Sequence, residues 1–134
     1  MIIFLTGHPE AVNDDVQLVE SDIRDVQFLK HIMAQFEIDA VIHFAASSLV
    51  GESMSDPAKY YVNNVEGSLH LLQAMKEAGV DYIVFSSTAA VYGEPEKTPI
   101  CEDFPTQPTN VYGRTKLVIE GMLKDYAMAY DMRY

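Results

Sequence analysis

Apolar residues in this chain form two kinds of run that alternate: short runs with strand character and longer runs at helical spacing. Ile2 to Leu5 is an apolar run fit for a short strand, ended by Thr6-Gly7-His8-Pro9. Val16-Gln17-Leu18-Val19-Glu20 alternates apolar and polar side chains, which predicts a strand, and Ser21-Asp22-Ile23-Arg24-Asp25 then supplies a loop and helix cap. From Val26, the positions Val26, Leu29, Met33 and Phe36, with Phe28 and Ile32 beside them, mark an amphipathic helix. Asp39 to Ala46 is nearly continuous apolar sequence, the pattern of a parallel strand covered on both faces. Asp56-Pro57 reads as a cap followed by a first-turn proline, and Tyr61, Val65, Leu69, Leu72 and Met75 keep helical spacing until Gly79. A strand from Tyr82 to Ser87 and a helix from about Thr109 to Tyr130, striped by Leu117, Met122, Leu123 and Tyr126, complete the order βαβαβα. Right-handed crossovers between such units predict an α/β fold with a doubly wound parallel sheet.

Composition narrows the function classes. At 134 residues and 49% hydrophobic content the chain can bury one core and is too short for two ordinary domains. A net charge of −11 argues against nucleic acid or an anionic membrane as partner, because both need clustered cations. The single cysteine, Cys101, has no internal disulfide partner and fits a reducing compartment. The opening Met1 to Leu5 is too short to span a membrane and lacks the charged start of a signal peptide, so a cytoplasmic location is expected. His8, His31, His43 and His70 show no paired spacing suited to a metal, and none is expected. Ser86-Ser87-Thr88-Ala89-Ala90 is not a nucleophile elbow of the Gly-x-Ser-x-Gly type.

The candidate chemistry lies in Val111-Tyr112-Gly113-Arg114-Thr115-Lys116, read with Phe85-Ser86-Ser87-Thr88-Ala89-Ala90-Val91-Tyr92-Gly93. On a helix, Tyr112 and Lys116 leave the same face about 6 Å apart along the axis. An ammonium beside a phenol favours the phenolate and makes a proton-transfer group usable near neutral pH. The hydroxyl of Thr88, or of Ser87, at the end of a strand, is placed to bond the same substrate oxygen.

The Ser-Ser-Thr strand end, the turn Tyr92-Gly93-Glu94-Pro95 and the proline-rich loop before Tyr112 resemble the extended short-chain dehydrogenase/reductase family. Within it, the runs Ala40 to Glu52 and Val84 to Pro95 are similar to the UDP-glucose (UDP-galactose) 4-epimerases. The resemblance runs from Thr6 to Tyr134. It implies a partial NAD-binding, Rossmann-like domain over residues 1–134, with the first βαβ portion and the sugar-nucleotide domain missing. A dinucleotide site should open on a three-glycine turn and carry an acidic residue about 20 residues on. Here Gly7 stands alone, the next glycine is Gly51, and that acidic residue is absent.

By the same resemblance Asp22 and Ile23 lie beside the adenine of NAD, Phe44, Ala45 and Ala46 line the cofactor cleft, and Asn63 and Ser86 contact the cofactor. Thr88, Tyr112 and Lys116 are the implied catalytic group, with Tyr112 and Lys116 also touching NAD, and UDP-galactose and UDP-glucose as substrates. A sugar-nucleotide dehydratase would place acidic residues just after the threonine. Ala89 and Ala90 stand there. The isolated chain is expected to be weak or inactive and to form homo-oligomers through uncovered sheet edges; the competing expectation is a non-catalytic module that binds itself or a partner.

Overall fold

The computed structural model describes residues 12, 13 and 15–134. The strand expected over Ile2 to Leu5, and Gly7 after it, lie outside the described residues.

Helix α1 (Val26–Gln35) begins where the Asp25 carboxylate accepts the Phe28 N–H at 3.0 Å, and it buries Leu29 and Met33. Strand β1 (Ala40–His43) follows. The chain then crosses through α2 (Val50–Ser55), α3 (Pro57–Tyr60), a π-helical segment (Tyr61–Glu66) and α4 (Gly67–Ala78) to strand β2 (Tyr82–Phe85). A 3₁₀ turn (Ala89–Tyr92) and a long loop lead to α5 (Val111–Tyr130). As expected, Asp56 caps α3 with Pro57 in its first turn, and Gly79 ends α4 in the left-handed conformation.

β1 and β2 pair in parallel, with Ala40 opposite Tyr82 and His43 opposite Phe85. Beyond β2, Arg133 pairs in parallel with Tyr82: its N–H donates to the Asp81 carbonyl at 2.8 Å and its carbonyl accepts from Ile83 at 2.9 Å. The segment after α5 therefore adds a single bridge beside β2. Asp131 takes φ 57° at the helix end, the left-handed position usually filled by glycine. The expected order βαβαβα is thus found from its first helix onward.

The structure corrects several details. Val16 to Val19 form no regular element and Glu20 alone is bridge-paired, because Val16 and Leu18 stay exposed with no described residues packed over them. The strand expected to reach Ala46 ends at His43. The helix from Pro57 carries a π segment at Tyr61–Glu66. Its buried stripe keeps helical spacing through Tyr60, Asn64, Gly67, Ser68, Leu71, Leu72 and Met75, and begins one position before the expected face, so that Tyr61 and Leu69 are exposed. In α5, Leu123 is buried as expected, but Ile119 rather than Leu117 is its fully covered neighbour.

One core joins Leu29 and Met33 of α1, Leu71, Leu72, Ala74 and Met75 of α4, Ile83 of β2, and Ile119 and Leu123 of α5. Val41 and Phe85 pack against it. The opposite side of the strands, with Ile42 65% and Val84 63% exposed, is not covered by the described residues, so cover on one face replaces the expected cover on both. Among the described residues no helix is long and apolar enough to cross a membrane.

Candidate functional site

The start of α5 is fixed from three sides. The Asn110 side chain accepts the Gly113 N–H at 2.7 Å, and the buried Ser53 hydroxyl accepts the Tyr112 N–H at 3.1 Å while donating to the Val50 carbonyl at 2.6 Å. Two of the otherwise unpaired N–H groups of the first turn are thereby satisfied. Gly113 supplies the third contact: a Cβ on it would lie 2.6 Å from the Ala90 carbonyl oxygen, so only glycine lets the helix sit this close to the 3₁₀ turn. That turn begins at Thr88, whose Oγ1 accepts the Ala90 N–H at 3.2 Å and whose own hydroxyl proton has no acceptor among the described residues. The two stretches paired by sequence are in contact. Ser87 differs from Thr88, because its hydroxyl donates to the Glu120 carboxylate.

Lys116 is only 2% exposed, yet no carboxylate meets it among the described residues. Its Nζ donates to the Ser86 carbonyl at 2.7 Å, and lies 4.6 Å from the Phe85 ring centroid and 5.9 Å from that of Tyr112. Burial lowers its pKa to about 8. The half-buried Tyr112 thus has an ammonium at its ring, with two of the three ammonium N–H groups unbonded among the described residues. The His43 and Phe85 ring centroids lie 5.5 Å apart, and His43 Nε2 meets Ser68 Oγ at 2.8 Å. Burial, then the charge of Lys116, pushes its pKa down to about 4.

The residues assigned to the cofactor divide into several environments. The Asp22 carboxylate accepts from the Arg24 N–H at 2.8 Å and from its guanidinium at 2.5 and 3.0 Å, and the hydrogen bond from the Arg24 side chain is the main cause of its lowered pKa. The Ile23 side chain is buried against Gly67, where an added Cβ would fall 2.6 Å from Ile23 Cδ1. Only its backbone remains to face a ligand. Phe44, 73% exposed, and the half-buried Ala45 and Ala46 follow the carboxyl end of β1, where open α/β sheets bind ligands. Ser86 contributes its carbonyl to Lys116. Asn63 is half-buried and donates to Asn64 Oδ1 at 3.0 Å.

Asn64, which the sequence reading passed over, is the buried centre of the site's scaffold. Its side chain accepts the Ser47 N–H at 2.8 Å, donates to the Ser47 carbonyl at 3.0 Å and donates to Thr115 Oγ1 at 3.1 Å. Thr115 in turn donates to the Tyr112 carbonyl at 2.7 Å. Asn64 thus ties the loop after β1 to the helix bearing Tyr112 and Lys116. Ser53 was missed likewise. The available signal for Asn64 was an amide four residues after Tyr60 on what became the buried stripe, and for Ser53 there was none.

A cleft of about 410 Å³ opens beyond Tyr92, between Glu94, Lys97, Phe104, Pro105 and Gln107, and its lining does not include Thr88, Tyr112 or Lys116. Among the described residues no group of three or more His, Cys, Asp or Glu is placed to hold a metal ion.

Comparison with known proteins places this geometry in a family. The family model of GDP-mannose 4,6 dehydratase matches residues 4–134. The UDP-glucose 4-epimerase of Lacticaseibacillus casei is 47% identical over 130 residues, covering 97% of this chain and 39% of the relative. That of Halalkalibacterium halodurans is 54% identical, with 96% and 38% covered. The crystal structure of UDP-glucose 4-epimerase from Brucella ovis in complex with NAD superimposes with a TM-score of 0.92 at 50% identity, over 96% of this chain and 39% of its own. The chain thus spans about 39% of the length of these relatives. The resemblance read from the sequence and the Rossmann-type α/β fold are both borne out.

Proposed function

The chain belongs to the family whose model is that of GDP-mannose 4,6 dehydratase, and we propose that it is the tyrosine- and lysine-bearing part of an NAD-dependent UDP-glucose 4-epimerase, interconverting UDP-galactose and UDP-glucose. The observation that carries this reading is the buried Lys116 ammonium beside Tyr112, held by a carbonyl and an aromatic ring with no carboxylate among the described residues to neutralise it. An unneutralised cation in a low-dielectric site favours the ionised phenol. Tyr112 then takes the proton from the sugar 4-hydroxyl, Thr88 donates a hydrogen bond to that oxygen, and Lys116 balances the charge at the phenol. When bound, NAD supplies the hydride acceptor at C4 and returns the hydride to the other face, so that net oxidation is zero.

The donor set fits the nicotinamide-ribose end of such a cofactor: the Lys116 N–H groups that are unbonded among the described residues lie at the carboxyl end of β2, and small Ala45 and Ala46 follow β1. We assign Asp22, Ile23 through its backbone, Phe44, Asn63 and Ser86 to the remaining contacts. Ala89 and Ala90 favour epimerisation over dehydration, since neither side chain moves a proton. The single, exposed Cys101 supports a reducing, cytoplasmic setting.

This chain has no glycine-rich turn of the kind that cradles a pyrophosphate. At roughly 1.5–3 kcal/mol per charge-assisted hydrogen bond, lacking about three of them weakens NAD binding by roughly 5–9 kcal/mol. The test is conversion of UDP-galactose by the purified chain in excess NAD, with NAD contact followed by ligand-observed NMR. Expected are weak contact that diminishes in Lys116→Ala and, at most, slow conversion that disappears in Tyr112→Phe. Conversion surviving Tyr112→Phe would overturn the catalytic assignment. The bare apolar sheet face favours a second reading, a non-catalytic module that associates with copies of itself; absence of any NAD contact together with oligomers in light scattering would select it.

A further inference from the structure

A buried lysine usually lies against a carboxylate, but Lys116 lies against a ring. Its Nζ is 4.6 Å from the Phe85 centroid, and its hydrogen-bond acceptor is the carbonyl of the next residue, Ser86. The ring is itself supported: strand register sets His43 opposite Phe85, the two centroids are 5.5 Å apart, and His43 Nε2 is held by Ser68 Oγ at 2.8 Å. Ser68, His43, Phe85 and Lys116 are therefore linked by successive pairwise contacts from α4, through both strands, to α5.

We propose that Phe85 is a positioning residue, its ring face seating the Lys116 ammonium at the carboxyl end of β2. The consequence for catalysis rests on the reading of Lys116 as the partner of Tyr112; the seat itself does not. A carboxylate in the place of the ring would cancel the charge that favours the phenolate and occupy the N–H groups that a ligand needs. A ring face attracts the cation through its quadrupole, takes no N–H in a strong hydrogen bond and leaves the net charge intact. The titratable groups facing this cation from the elements packed around it are His43 on β1 and Tyr112 on α5. Glu120, one turn further along α5, has its carboxylate engaged by Ser87.

The test is the Lys116 titration, followed by NMR in chain labelled with ¹³C at lysine Cε, with the signal assigned by its loss in Lys116→Arg. Phe85→Leu keeps an apolar side chain and removes the ring; the Lys116 pKa should drop by about half a unit or more, a threefold or larger loss of proton affinity, and recover in Phe85→Tyr. If Phe85→Leu does not fold, phenylalanine carrying one, two or three ring fluorines at position 85 preserves the shape while draining the ring face, and the pKa should fall stepwise. A flat fluorine series, or an unchanged Lys116 in folded Phe85→Leu, overturns the proposal. These titrations are run without NAD. A ring-dependent Lys116 that NAD leaves unmoved would sink the epimerase reading and keep the seat, and a ring-independent Lys116 that NAD perturbs would do the reverse.

Discussion

The two faces of the β1–β2 pair are built from alternate residues of the same strands and meet opposite fates. Val41, His43, Ile83 and Phe85 look toward α1, α4 and α5, whereas Ile42, Tyr82 and Val84 look away from them and are exposed. The covered face is also where the buried polar groups lie, among them His43 and Lys116. Apolar residues on both faces mark strands suited to cover on both sides, and the described residues cover one side and leave the other for further contact. Stability should therefore reside almost wholly on one face, and association on the other.

The largest effect expected on this contrast comes from Leu72→Ala, which empties a fully covered site in α4 and should cost about 2–5 kcal/mol in urea unfolding. Asn64→Ala leaves the Ser47 N–H and carbonyl without their partner and should cost roughly 2–4 kcal/mol, with the loop after β1 losing hydrogen-exchange protection.

Next comes pH. His43 binds its proton at about 4 when folded and near 6.5 when unfolded, so between these values the unfolded chain holds more protons and stability rises with pH. Lys116 acts likewise from about 8 toward 10.5. Each group is worth up to about 3 kcal/mol across its window. Urea midpoints should climb from pH 4 to 6.5 and again from pH 8 to 10, and flatten in His43→Gln and Lys116→Met respectively. Above pH 10 the opposite sign enters, because burial and then Glu52 hold Tyr60 up at about 12 and its folded form keeps the proton. Midpoints independent of pH in both windows would mean that neither group is buried in solution.

Breaking the Asp22–Arg24 pair by Arg24→Ala should cost only about 0.2–1 kcal/mol in the same unfolding experiment, since both side chains are half exposed. Smallest of all, Ile42→Thr on the bare face should change unfolding by no more than about 0.5 kcal/mol while lowering the mass seen in light scattering. A cost for Ile42→Thr matching that of Leu72→Ala would show that the second face is covered in solution after all.

Much of the fold was legible because its signals are local. Asp25, Asp56-Pro57 and Gly79 act on N–H and carbonyl groups within a few residues, and each marks the helix end it was read to mark. The spacing of Tyr112 and Lys116 was equally readable, because a helix turn sets it. The helix through Asn64 was placed correctly and its buried face was not, because that face carries the polar Asn64 and Ser68, whose partners Ser47, Thr115 and His43 lie far off in the chain. The strand expected over Val16 to Glu20 fails for a related reason: alternation records which side chains want cover, and cover must come from elsewhere.

By itself, then, the sequence determined the helix ends, the parallel pairing of β1 with β2, and the spacing that puts Tyr112 and Lys116 on one face of α5. Only the tertiary structure decided what surrounds that pair. Lys116 lies against Phe85 and Ser86, some thirty residues away in the chain, Ser87 bonds Glu120 across 33 residues, and Ser53 holds the first turn of α5 across a separation of 59 residues. The physical reason is range. Capping and periodicity act between neighbours in sequence, whereas burial of a charge and satisfaction of a buried amide depend on elements that meet only once the core has closed.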